Sequence, residues 1–232
     1  MQNATPLNVV LYVVFPYFAV GLAIVVTVMR YFNDRFSFSS LSSQFLENRR
    51  LFWGSVPWHY AITLILGAHL AAALFPSLWG DLISSEARLY VMEVTGIALA
   101  VVAILGLSLL ILRRLRDARV RAVTTWMDWL LLALLLLQVI LGFWIALFYR
   151  WGSDWYLHIA VPWLYSLITF NPQIQYVTAL PWVVQHHFLN AFLIVLLLPF
   201  SRLVHLLSFP FTYWWRPYQV IIWNRHQKTD KT

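Results

Sequence analysis

The run HHFLNAFLIVLLLPFSRLVH, residues 186–205, sets three histidines and an arginine among leucine, phenylalanine and isoleucine. With its flanks, Pro181–Leu207, it is long enough to cross the hydrocarbon core of a bilayer, which takes roughly 20 predominantly apolar residues. Imidazole and guanidinium are costly at that depth, so each such side chain is a functional candidate whose partner must be named.

Four more runs of this length lie upstream. Val9–Met29 carries no charge, and neither does Trp129–Tyr149. Phe52–Leu74 contains His59 and His69, and Leu89–Leu112 has one acid, Glu93. Trp155–Thr169 is apolar but short and is interrupted by Pro162, which suits an interfacial helix. The expectation is an all-α integral membrane protein, one five-helix bundle over residues 1–232 with a tail at 208–232. Composition agrees, with 61% hydrophobic and 11% charged residues, a balance a soluble domain could not keep in solution. The first run has no basic leader and is long enough to span, so it is expected to be a retained helix rather than a cleaved signal.

The net charge of +7 does not imply nucleic acid, because the basic residues are confined to segments between the apolar runs. Arg30, Arg35, Arg49 and Arg50 follow the first, and Arg113, Arg114, Arg116, Arg119 and Arg121 follow the third. Arg216, Arg225, Lys228 and Lys231 lie in the tail, while the remaining connections hold only Arg88 and Arg150. Positive residues favour the cytoplasmic side, which puts the N-terminus outside and the C-terminus inside. Cysteine is absent, excluding disulfides, a cysteine-held iron–sulfur cluster and a covalently attached haem.

On one continuous helix, His187 and His205 are 18 residues apart, five turns, and face the same way. His186 is turned by about 100° from them, which favours His187 as the ligand. His59 and His69 are about 80° apart and separated by about 15 Å in depth. Antiparallel packing then pairs His59 with His205 near the inner face and His69 with His187 near the outer face. Two opposed imidazoles saturate a haem iron. The pairs supply too few ligands for zinc or bare iron, and no carboxylate lies at their depth. Histidines that only bond helix to helix, in a haem-free anchor or a proton-relay transporter, are the alternative.

At these residues the chain resembles the respiratory nitrate reductase gamma subunit family of membrane cytochromes b. The resemblance rests on His187 with Pro199, Phe200, Ser201, Arg202, Leu203 and His205, on His59 and His69 ten residues apart, and on RVRAVTT, Arg119–Thr125. It implies two b haems held by those four histidines, and oxidation of menaquinol or ubiquinol from the quinone pool near the outer haem. It further implies electron delivery to a cytoplasmic iron–sulfur subunit serving a molybdenum catalytic subunit, in a bacterial or archaeal cytoplasmic membrane. Related cytochromes serve nitrite-, chlorate- or sulfur-compound-linked enzymes instead. Arg88 stands where a family member carries a basic residue near quinol, and Gly67 would let a ring approach the second helix. Arg202 is expected to pair with a haem propionate.

Overall fold

The structure is a computed structural model and describes residues 5–34, 37, 38, 43, 46, 47 and 49–207. Arg35, the whole tail 208–232 and its basic residues lie outside the described residues. Among the described residues every regular element is helical. Five helices are long and apolar enough to cross a bilayer: Pro6–Asn33, Arg49–Leu74, Glu86–Arg116, Trp126–Phe148 and Trp182–Phe200. They are called the first to fifth spans below.

Local chemistry explains where these spans start. Ser85 accepts a hydrogen bond from the Arg88 amide and caps the third span. Thr125 and Asp128 form a capping box, so the fourth span begins at Trp126 rather than at Trp129. Shorter helices occupy Pro76–Ile83 and the stretch 152–168, the latter entered through Trp151 in the left-handed region.

The fifth span departs most from expectation. The α-helix ends at Leu197, a 3₁₀ turn covers Leu198–Phe200, Ser201 is extended, and a second 3₁₀ segment carries Arg202–Leu207. Pro199 is the physical reason, since it lacks an N–H and its ring crowds the carbonyl four residues back. His187 and His205 are therefore not on one continuous helix, and the five-turn relation between them does not hold.

In space the second span packs along the third, the third on the fourth, the fourth on the fifth, and the fifth on the first. The second and third approach most closely. A Cβ on Gly106 would come within 2.8 Å of the Trp58 backbone nitrogen, so the two backbones touch where only glycine fits. Trp58, Ala61, Ala103, Leu107, Leu132 and Val139 form the buried cluster around this crossing. Among the described residues the second and fifth spans do not pack along each other as these pairs do.

The 152–168 stretch closes one end of this arc. Trp163 is buried and stacks on Phe188 of the fifth span, with ring centroids 5.3 Å apart. The Tyr165 hydroxyl donates to the Ala73 carbonyl at 3.0 Å, and the Tyr17 hydroxyl of the first span donates to the Leu167 carbonyl at 2.7 Å. The opposite end holds the basic segments. There Arg113, 1% exposed, donates to the Glu47 carboxylate at 2.7 Å and to Ser43. Burial would raise the Glu47 carboxyl, but hydrogen bonds from the Arg50 amide, the Arg113 guanidinium and the Leu51 amide outweigh it and hold the group below the usual carboxylate range.

Candidate haem-ligand histidines and their supports

His59 and His69 lie on the unbroken helix of the second span. Trp58 points into the packed cluster, and its neighbour His59 is turned away from it and exposed. The His59 Nδ1 lies 2.7 Å from the Ser55 carbonyl, and the His69 Nδ1 lies 2.8 Å from the Ile65 carbonyl. A ring whose Nδ1–H donates to a carbonyl keeps its lone pair on Nε2, the arrangement usual for metal-ligating histidine. Neither imidazole hydrogen-bonds to another span among the described residues. This weakens the alternative in which they bond helix to helix.

The rings on the other side are held differently. The Nε2 of His187 lies 3.2 Å from the amide nitrogen of Gln138 on the fourth span, and a Cβ on Gly142 would come within 3.1 Å of its Cε1. Its Nδ1 is buried without a hydrogen-bond partner among the described residues. His69 and His187 lie near enough for their charges to interact. His186 instead faces outward, with its Nδ1 on the Trp182 carbonyl at 2.7 Å.

His205 rides on the 3₁₀ segment beyond Pro199, and its Nδ1 is bonded to the Arg202 carbonyl. Arg202, the residue expected at a haem propionate, is engaged by a carboxylate of the fourth span. Its Nε and Nη2 donate to the two oxygens of Asp128 at 2.6 and 2.9 Å, and Nη2 also donates to the Val123 carbonyl. Asp128 is only 4% exposed, and a carboxylate at that depth requires such a partner.

Arg88 donates to the carbonyls of Leu82 and Asp81 and to the Ser84 hydroxyl. It thereby closes the end of the Pro76–Ile83 helix. Gly67 has nothing within 4 Å of where a Cβ would sit, so packing gives no reason for glycine there. No group of three or more His, Asp or Glu side chains converges among the described residues.

Three supporting residues were not singled out from the sequence: Gln138, Asn190 and Asp128. Each is a polar side chain inside or at the start of an apolar run, and that signal was present. Asp128 stands three residues after Thr125, which is the spacing of a capping box.

Five helices long and apolar enough to cross a bilayer define the class, an integral membrane protein. Residues 8–224 match the family model described as nitrate reductase gamma subunit. The chain is 30% identical to the nitrate reductase gamma chain of Bacillus subtilis (strain 168) over 215 residues, which cover 91% of this chain and 96% of that protein. It is 31% identical to the respiratory nitrate reductase 2 gamma chain of Escherichia coli (strain K12), covering 93% and 96%. A nitrate reductase-like protein, NarX, of Mycobacterium tuberculosis (strain ATCC 25618 / H37Rv) is 28% identical, and the match covers 88% of this chain but 32% of that protein. The chain belongs to the nitrate reductase gamma subunit family, and is a multi-pass membrane subunit of an oxidoreductase complex.

Proposed function

We propose that the chain is a dihaem cytochrome b that oxidises quinol and passes the electrons on to the rest of a nitrate reductase complex. His69 and His187 hold one haem and His59 and His205 the other. The observation that carries this reading is the state of the second span. Both imidazoles turn Nδ1 to a carbonyl of their own helix, which leaves each Nε2 lone pair available to a metal, and that span does not pack along the fifth. A haem iron held by two imidazoles gains and loses single electrons while its protein ligands stay in place. Absence of cysteine suits a haem held without covalent attachment.

The basic ends of the first and third spans are cytoplasmic in this reading, with the N-terminus outside and the C-terminus inside. The His69–His187 haem then lies toward the outer face, where Arg88 and the backbone at Gly67 are the candidates to meet menaquinol or ubiquinol. The His59–His205 haem lies toward the cytoplasm, where an iron–sulfur subunit accepts electrons for a molybdenum catalytic subunit. Nitrate as the final acceptor follows the names of the relatives.

The test is the reduced-minus-oxidised spectrum of the purified complex. Two b haems per chain are expected, with His69→Ala and His187→Ala each removing one and His59→Ala and His205→Ala each removing the other. A chain without b-type absorbance, or four substitutions that all remove the same haem, would overturn the reading.

A further inference from the structure

Arg113 and Arg114 stand side by side at the end of the third span, and their guanidiniums are held differently. Arg113 is buried against the Glu47 carboxylate and Ser43. Arg114, about 100° further round the helix, lies near enough to Asp128 and Arg202 for their charges to interact. Its Nε is buried and has no hydrogen-bond partner among the described residues. A guanidinium nitrogen can only donate, and a buried donor without an acceptor is costly.

The acids around it are already engaged. Asp128 turns both oxygens to Arg202, at 2.6 and 2.9 Å, and also accepts from the Thr125 amide at 2.9 Å. Glu47 is held by Arg113 and by the amides of Arg50 and Leu51. Asp117, three residues beyond Arg114, accepts from the amides of Arg119 and Val120. Of the three neighbouring guanidiniums, Arg113 pairs with Glu47 and Arg202 with Asp128, and Arg114 has no ion pair among the described residues. Arg202 shows the bond that suits such a group, in which Nε and one terminal nitrogen grip both oxygens of a carboxylate. The buried Nε of Arg114 is one prong of the same fork.

Position indicates whose carboxylate completes it. His59 lies on the second span, which packs along the third, and His205 is bonded through Nδ1 to the Arg202 carbonyl. Arg114 therefore sits on the element next to one inner ligand and beside the turn that carries the other. A b haem brings two carboxylates of its own, its propionates.

We infer that Arg114 binds a propionate of the haem held by His59 and His205. The inference rests on the dihaem reading above, and the test separates the two. Redox titration, and redox-difference infrared spectra with carboxyl-labelled haem, are recorded on the purified complex for wild type, Arg114→Leu and Arg114→Lys. Losing the positive charge disfavours reduction. In Arg114→Leu the oxidised-to-reduced ratio of the His59–His205 haem at a fixed potential should rise about tenfold, the effect of one unit charge across roughly 12 Å at an effective dielectric constant of about 20. The other haem should keep its value. Arg114→Lys keeps the charge and loses the fork, so it should restore most of the ratio while the propionate band still moves. It also supplies the reading where Arg114→Leu does not assemble.

A propionate band that stays in place in both variants would overturn the inference, even with a displaced potential, because the charge would then act from a distance. Equal disturbance of both haems would overturn it too, and either result leaves the dihaem reading intact. Wild-type complex without b-type absorbance would overturn both.

Discussion

The second and fifth spans carry the same kind of side chain and hold it in opposite ways. The second is one unbroken helix from Arg49 to Leu74, and each of its histidines is oriented by the carbonyl four residues earlier. The fifth loses its helix at Pro199, and its two candidate ligands meet the fourth span, His187 at Gln138 and His205 through the turn that Arg202 and Asp128 anchor. The histidines of the second span need only their own backbone. His187, inside an intact helix, and His205, beyond the break, both meet side chains or turns fixed from the fourth span, so the fifth span should be the more vulnerable to substitutions away from the histidines.

The largest effect is expected at Asp128. Replacing it with Ala leaves the Arg202 guanidinium, 20% exposed, without its carboxylate. Removing one partner of a buried pair costs about 3–5 kcal/mol. The purified complex should therefore show a clearly lower thermal midpoint, and the b-type signal assigned to the His59–His205 haem should weaken before the other. Simultaneous loss of both signals would mean that the fifth span fails as a unit and that the difference between its two histidines is immaterial.

The same contrast accounts for what was legible in the sequence. The five spans could be read from uninterrupted apolar length. The relation of His187 to His205 could not, although Pro199 was in plain view, since a continuous 18-residue period was assumed through it. The Arg202–Asp128 pair could not be read either, because its members lie 74 residues apart and only tertiary structure joins them. The Arg113–Glu47 pair, 66 residues apart, was hidden for the same reason behind a charge run read as a topology signal.

The second span has one weakness of its own, where it crosses the third. Gly106→Ala sets a Cβ against the backbone of Trp58 and Gly54, atoms that no side-chain rotation can move aside. Overpacking of this kind costs about 1–3 kcal/mol. The expected readout is a lowered thermal midpoint in detergent, smaller than that of Asp128→Ala, with the spectra of both haems retained until the chain unfolds. A midpoint equal to wild type would show that the two helices can separate cheaply, and the second span would lose its standing as the rigid member of the pair.

The smallest effect falls on Ser55, and it is the sharpest test of how the second span holds its ligands. The Ser55 hydroxyl lies 3.1 Å from the His59 Nδ1, and the Ser55 carbonyl lies at 2.7 Å. If the backbone orients the ring, deleting the hydroxyl removes nothing essential, because Ser55→Ala keeps the carbonyl where it is. The expected change in stability is within about 0.5 kcal/mol, the range of substitutions that touch no buried network. The haem ascribed to His59 and His205 should keep its absorption band and its midpoint potential. A displaced potential in Ser55→Ala would assign the orientation of His59 to a side chain, and the second span would then depend on side-chain contacts as the fifth does.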